Sequence, residues 1–264
     1  MTDMNEKIRR ELRRIEKEEH VRILYACESG SRAWGFPSQD SDYDVRFIYV
    51  RPVEWYLSIF EKRDVIERPI SDMLDIHGWD LKKALRLFLK SNPPLMEWLQ
   101  SPMVYMEEGE TAERIRALSP FTFSPKSSMY HYLHMAKGNY RDYLQGDQVK
   151  IKKYFYVLRP ILACAWIEQF GSLPPIEFGT LVKALIPEGS ELGEAIEKLL
   201  ARKKAGEELD MEPRIGPING YLEAQIIYYE QLAAGMPSGA GDLDSRLDGE
   251  FRLTLQEVWG KEDE

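Results

Sequence analysis

The stretch Cys27-Glu-Ser-Gly30-Ser31-Arg-Ala-Trp-Gly-Phe-Pro-Ser-Gln-Asp40-Ser-Asp42-Tyr-Asp44-Val-Arg-Phe-Ile-Tyr49 opens at the end of one strand candidate and closes inside another. The first candidate is Val21 to Cys27 (VRILYAC). The second, Tyr43 to Val50 (YDVRFIYV), is rich in β-branched and aromatic residues and stops at Pro52. Gly30-Ser31 directly follows the first strand and suits the opening of a short helix. Backbone N–H groups exposed there, beside a small side chain, form a cradle for a phosphate. Asp42 and Asp44 stand two apart at the head of the second strand, so the alternation of a strand puts both carboxylates on one face. Such a pair repels unless a cation lies between, and Mg²⁺ is the natural occupant because it prefers carboxylate and phosphate oxygens; Mn²⁺ is the alternative. An isolated DxD reads as a solvated strand start, and an isolated Gly-Ser as a turn. In the order strand, Gly-Ser, ten residues, DxD, strand, the acid pair stands beside a phosphate cradle, an arrangement that suits two-metal phosphoryl or nucleotidyl transfer.

Outward from this unit the chain divides. Residues 4–20 pattern as a charged amphipathic helix with Ile8, Leu12 and Ile15 on one face. Asp64 to Ile70 and Met73 to Gly78 read as strands separated by a turn at Ser71 and Asp72. A helix from about Asp80 to Lys90 ends at Asn92-Pro93-Pro94. After Pro120 the pattern is helical, over roughly 127–145, 150–170, 178–186, 190–204 and 216–234, with a last helix after Gly241. This gives two domains, a mixed α and β unit over 1–120 and an all-helical unit over 121–264.

Composition excludes several classes. The 264 residues carry 35 basic and 44 acidic side chains, a net charge of −9, with 44% hydrophobic residues. That is a globular balance, and it offers no basic stripe for reading duplex DNA. Cys27 and Cys164 lie in apolar runs and read as reduced, buried thiols. The N-terminal stretch has no apolar h-region and no run approaches membrane-span length, so a cytoplasmic protein without a membrane partner is expected.

The Gly30-Ser31 and Asp42-x-Asp44 motifs resemble the polymerase-β-like nucleotidyltransferase superfamily. The longer string GSRAWGFPSQDSDYDVRFIY resembles its bacterial and phage branch that includes the RNA-ligase-associated polymerase-β-like proteins. The likeness extends through LDIHGWDLKKAL, KSNPPLMEWL and KKYFYVLRPILA, over roughly residues 22–170. Glu28-Ser29 departs from the apolar residue common before the glycine. The resemblance implies an α+β fold: a polymerase-β-like core, a mixed sheet with flanking helices, followed by an all-helical domain that closes the nucleotide cleft. It also implies a third carboxylate on a neighbouring strand, for which the candidates are Asp64, Glu67, Asp72 and Asp75. Asp75, mid-strand between Leu74 and Ile76, matches the family pattern, and an unpaired charge there would be costly. Asp42, Asp44 and Asp75 are thus the expected catalytic and metal-holding residues.

Gly30, Ser31 and Arg32 are expected to hold phosphate. In the helical half, Lys152, Tyr156 and Arg159 fall at i, i+4 and i+7, a helical face with two cations and a ring, and the resemblance turns that face to the cleft. Lys153 is the fallback. Snorkelling cations on an amphipathic helix are the plain alternative. Trp34 and Phe36 read as packing groups, His77 as structural, and Glu97 with Trp98 as helix packing with an ion pair. The function implied is Mg²⁺-dependent transfer of a nucleoside monophosphate from an NTP, ATP foremost, with release of pyrophosphate. The acceptor hydroxyl belongs to RNA, a protein or a small molecule. A silent nucleotide-binding scaffold and a two-metal hydrolase remain the alternatives.

Overall fold

The computed structural model describes residues 4–70, 73–207, 209–237 and 243–260. The first half comprises α1 (Met4–Glu19), β1 (Arg22–Glu28), α2 (Gly30–Ala33), β2 (Tyr43–Val50), α3 (Val53–Tyr56), β3 (Val65–Glu67), β4 (Leu74–Asp80), α4 (Leu81–Leu89), α5 (Pro93–Leu99), β5 (Val104–Glu107) and α6 (Thr111–Thr122). The five strands form one mixed sheet in the order β3-β4-β2-β1-β5, with β2 and β4 parallel and the other pairs antiparallel. The fold is the expected α+β class.

Each face of the sheet is covered for a reason legible in the strands. Ile8, Leu12 and Ile15 of α1 bury against Ala26, Val45, Phe47 and Ile76 on one side. Leu24, Ile48 and Val50 face α4, α5 and α6 on the other. β3 is shorter than the sequence pattern suggests: Arg68 still donates its N–H to Ile76 (3.1 Å), but Pro69 has no N–H with which to continue the ladder. Neither β5 nor α6 was anticipated. The turn expected at Ser71 and Asp72, and Asp72 itself, lie outside the described residues.

The second half comprises α7 (Pro125–Tyr143), β6 (Gln148–Lys150), a 3-10 turn (Ile151–Tyr154), α8 (Phe155–Phe170), α9 (Phe178–Leu185), α10 (Glu191–Lys204), β7 (Met211–Pro213), α11 (Gly216–Gly235) and α12 (Asp244–Trp259). Its core gathers α7, α8 and α11 around Leu158, Ile161 and Leu222. Two features differ from the sequence reading. β6 and β7 form a small antiparallel pair inside the otherwise helical half. And α12 leaves that half: Leu247 buries against the α4–α6 core, Arg114 pairs with Glu250 (2.7 Å) and Glu257 (2.8 Å), and Tyr56 meets Phe251 edge-on. The expected 121–264 unit therefore loses its last helix to the first unit.

Candidate active site

The site forms where β1, α2 and the head of β2 meet. Ser29 donates its N–H to the Asp44 carbonyl (2.8 Å), so the turn after β1 is tied to the neighbouring strand. Gly30 takes φ +58°, and a Cβ there would sit 2.0 Å from Asp44 Oδ2. Only glycine tolerates both the backbone and the approach, so Asp44 lies directly over the start of α2.

Glu28, the departure noted in the sequence, is fully buried beneath this contact. Its Oε1 accepts the Asp44 N–H (2.8 Å), and its Oε2 accepts the Tyr105 hydroxyl. It fixes the backbone that carries the DxD. Burial pushes the Glu28 carboxyl above its ordinary range, against the Tyr105 and Asp44 hydrogen bonds.

The register places Asp44 directly opposite Asp75 across the parallel β2–β4 pair. Arg46 joins them: its Nη2 donates to Asp44 Oδ1 (3.0 Å) and Asp75 Oδ2 (2.7 Å), while Nη1 reaches the Asp75 carbonyl (3.1 Å). This residue was missed, although Asp42, Asp44 and Arg46 share one strand parity and the alternation was there to be read. The Asp44 carboxyl is raised chiefly by burial; Arg46 lowers it, and Asp75 and Asp42 raise it further. Burial therefore outweighs the like-charge repulsion that the sequence emphasises.

The donor set is the hard oxygen chemistry that suits Mg²⁺ or Mn²⁺, and two of its members already converge on one cationic nitrogen. Among the described residues, however, no three His, Cys, Asp or Glu side chains are gathered as one ligand group. The expected trio of Asp42, Asp44 and Asp75 is thus present as an exposed Asp42 and an Arg46-bridged pair, because the guanidinium occupies the place between Asp44 and Asp75.

Beside Asp42 and Asp44 is a cavity of about 40 Å³ lined by Ser31, Trp34, Ser41, Lys152, Tyr156 and Lys203 among others. It holds about one water, and two of its lining residues, Lys152 and Tyr156, are exposed. Lys152 lies in the 3-10 turn and Tyr156 in the first turn of α8, and both line the cavity as expected.

Lys203, on α10, was not expected. It is buried, yet its Nζ finds only hydroxyls, Ser38 Oγ at 2.8 Å and Ser41 Oγ at 3.5 Å. Burial and the nearby Lys152 lower its pKa, against Asp40 and Asp42.

Three of the expected phosphate ligands sit elsewhere. Arg159 is buried behind Trp34, its guanidinium 4.9 Å from that ring, and pairs with Glu97 (2.7 Å), which also accepts the Tyr132 hydroxyl (2.9 Å). The i+7 spacing put it on the right side of α8, but the acid on α5 draws it inward. Arg32 folds back to donate to the Ser41 and Asp42 carbonyls (2.7 and 3.2 Å) and covers the Tyr43 ring, so it braces the loop. Lys153 lies over Tyr143 and Tyr156, outside the cavity lining. Phe36 is packing, stacked on Phe155, as read from the sequence. His77 stands 3.4 Å from Glu67.

A strand, a glycine at positive φ under an aspartate, a short helix and a DxD strand together define a polymerase-β-like nucleotidyltransferase unit. Comparisons with known proteins agree. Residues 4–252 match the RNA repair pathway DNA polymerase beta family, and YcgL of Bacillus subtilis (strain 168), itself uncharacterized, is 56% identical over 256 residues, covering 97% of this chain and 98% of YcgL. The chain belongs to that polymerase-β-like family. A solved nucleotidyltransferase-like protein from Exiguobacterium sibiricum is similar at 10% identity over 95% of this chain and 89% of its own, with a TM-score of 0.31, a likeness too slight to carry an argument.

Proposed function

We propose that the protein transfers a nucleoside monophosphate from an NTP, ATP foremost, to an acceptor hydroxyl with release of pyrophosphate. The observation that carries this reading is the apposition of Asp44 to Gly30, with Asp42, Ser31, Lys152 and Lys203 around one cavity. Carboxylates on one side and uncompensated ammonium groups on the other suit a ligand that is part cation and part polyanion, which describes a metal–triphosphate.

In this reading Asp42 and Asp44 hold Mg²⁺ or Mn²⁺, with Asp75 joining once Arg46 turns aside. A metal held there would supply Lewis-acid stabilisation of the charge that develops on the α-phosphate and the leaving oxygens. Ser31, Lys152 and Lys203 orient the β- and γ-phosphates. Trp34 and Tyr156, whose rings meet edge-on at 5.7 Å, border the nucleoside. Asp75 takes the acceptor proton. Glu28 keeps the Asp44 backbone in register throughout.

The test is incubation with labelled NTPs, Mg²⁺ and a cell extract, with and without RNase. Label on RNA, on protein or on a small molecule identifies the acceptor; NTP consumed with no label transferred indicates a hydrolase.

A second reading has one observation in its favour. Arg46 supplies a cation between Asp44 and Asp75 from within the chain, so the two acids can stay close without a metal. A nucleotide-binding scaffold without turnover would fit that bridge. It predicts NTP binding indifferent to divalent ions, whereas the transferase reading predicts that metal and NTP strengthen each other's binding.

A further inference from the structure

Alternation along β2 puts Asp44 and Arg46 on one face, and the parallel register sets Asp75 opposite Asp44. The result is one nitrogen between two carboxylates: Arg46 Nη2 lies 3.0 Å from Asp44 Oδ1 and 2.7 Å from Asp75 Oδ2. A Mg²⁺ at the same point would need each oxygen about 0.6–0.9 Å nearer, at its usual ~2.1 Å, a movement that side-chain rotation supplies. Nη1 is held separately, by the Val45 and Asp75 carbonyls (3.0 and 3.1 Å), so the acids can change partner without a change in the strands.

This bridge differs from the core pair in its access to solvent. The Arg159 side chain is 2% exposed beside Glu97, so water cannot replace that acid for it. The Arg46 side chain is 18% exposed, and those of Asp44 and Asp75 are 28% and 31% exposed. A hydrated cation therefore reaches the two acids, and water can solvate the guanidinium as it leaves them. The bridge is exchangeable where the core pair is not.

Charge decides what exchanges with it. One guanidinium offsets one of the two carboxylates, whereas a divalent ion offsets both. Against that stands the tether: Arg46 is two residues from Asp44, so its cation is present at high local concentration whatever the metal concentration. A free divalent ion enters only the fraction of molecules whose guanidinium has left, and its apparent affinity falls by that fraction. Nucleotide phosphates change the balance, because they ligate the ion and accept paired hydrogen bonds from a guanidinium.

We propose that Arg46 is a resident counter-cation. It keeps a free divalent ion off the Asp44–Asp75 pair and yields the place when a metal–nucleotide complex offers its guanidinium phosphate oxygens. Metal loading of this pair therefore follows nucleotide. Asp42, exposed and outside the bridge, is not protected in this way. The release by nucleotide rests on the nucleotidyl-transfer reading; the competition with metal rests on the bridge alone.

The experiment titrates the full chain with Mn²⁺, reading free ion by electron paramagnetic resonance, first alone and then with α,β-methylene-ATP, whose α–β bridge cannot be cleaved. Without nucleotide, Arg46→Gln should bind Mn²⁺ at least ~10-fold more tightly than the unchanged protein. Adding Asp75→Asn to that variant should remove the gain, because the freed place needs both acids. Saturating analogue should narrow the gap between Arg46→Gln and the unchanged protein to ~3-fold or less. The thermal midpoint of Arg46→Gln should fall without metal, as two acids then face each other unpaired, and recover with saturating Mn²⁺. Asp75→Asn alone gives a test that does not need Arg46→Gln to fold: without nucleotide it should change Mn²⁺ affinity by less than ~3-fold, since Arg46 already closes the pair. Four outcomes would each overturn the proposal: Mn²⁺ binding by folded Arg46→Gln that is no tighter, a gain that survives Asp75→Asn, a ~10-fold loss in Asp75→Asn alone, or a gap that bound analogue leaves at full size. An Asp75-dependent gain with no analogue bound by any of the proteins would keep Arg46 as the competitor and remove the nucleotidyl-transfer reading instead.

Discussion

On the sheet, Asp44 and Asp75 share one nitrogen of Arg46, so the floor of the cleft has already matched its acids with a cation. Across the cavity Lys203 is buried against two serine hydroxyls, and Lys152 stands exposed with no carboxylate partner among the described residues. The floor holds a cation, and the wall carries two ammonium groups with no carboxylate at ion-pair distance among the described residues. A third arrangement sets the scale for both: Arg159 pairs with Glu97 in the core at 2.7 Å, while Arg159 also donates to the Ile176 carbonyl and Glu97 accepts the Tyr132 hydroxyl. The difference is in what stands beside each charge, an opposite charge for Asp44, Asp75 and Arg159 and hydroxyls for Lys203, which residue type alone does not tell. The largest test of the floor is Asp44→Asn. Turnover should fall at least ~10⁴-fold, about 5.5 kcal/mol of transition-state stabilisation. The thermal midpoint should hold or rise, because the change removes a half-buried charge and leaves Arg46 with Asp75. A midpoint that drops steeply would make Asp44 a structural residue and unseat the comparison.

The core pair should behave in the opposite manner. Glu97→Gln leaves the Arg159 guanidinium buried without its counter-charge, and it weakens the contact with the Tyr132 hydroxyl. Breaking a buried pair from one side costs about 3–5 kcal/mol, a fall in midpoint of about 10 °C for a chain of this size. NTP affinity of the protein still folded should not change. If affinity falls with stability intact, Arg159 belongs to the nucleotide site after all.

The contrast between these two sites also shows what a sequence can disclose. The strand–Gly-Ser–DxD unit was legible because its parts are local: the turn, the alternation and the strand heads lie within Cys27 to Tyr49. Asp75 was legible as a mid-strand charge, and the register does place it opposite Asp44. Arg159 was misplaced because helical spacing fixes a face but not which face is buried, and Glu97 decides that from α5. Lys203 was invisible because its partners, Ser38 and Ser41, are more than 160 residues away. The return of α12 to the first half is another long-range fact, carried by Leu247 and by the pairing of Arg114 with Glu250 and Glu257.

The wall is tested by Lys203→Ala and Lys152→Ala. Each should weaken NTP binding ~10-fold, about 1.4 kcal/mol, and leave nucleoside binding nearly unchanged, since the lost contacts are to phosphate oxygens. Lys203→Ala should not destabilise the chain, because its buried ammonium has hydroxyl partners only. Equal weakening of nucleoside and triphosphate would mean that α10 has shifted rather than that a phosphate contact was lost. If Lys203→Ala alone has no effect on the triphosphate, the wall reduces to Lys152.

The smallest expected effect is on the pH dependence of stability in the absence of ligand, and it separates floor from wall by sign. Asp44 has a folded pKa raised above its ordinary value, chiefly by burial, so the folded chain binds its proton more tightly than the unfolded one. The stability Asp44 contributes is therefore full below the ordinary aspartate range and lost as pH rises through the raised value. Glu28 acts in the same direction. Lys203 has a folded pKa lowered by burial, so its contribution is full above the ordinary lysine range and lost as pH falls through the lowered value. Above the raised carboxyl value and below the lowered lysine value each group carries its charge at a cost to the fold, and a metal–triphosphate bound between them would offset both costs. The midpoint of the ligand-free protein, followed against pH beside two variants, should show two small slope differences. Just above the ordinary carboxyl range it should have a more negative slope than Asp44→Asn, with the Glu28 share remaining in the variant. On the alkaline side, where buried tyrosines and Cys27 and Cys164 raised by burial make stability fall with pH, it should fall less steeply than Lys203→Met. Saturating Mg²⁺ and NTP should flatten both together if they occupy the cavity that the two residues share. Flattening of the acid-side slope alone would show a metal site that holds no triphosphate against the wall.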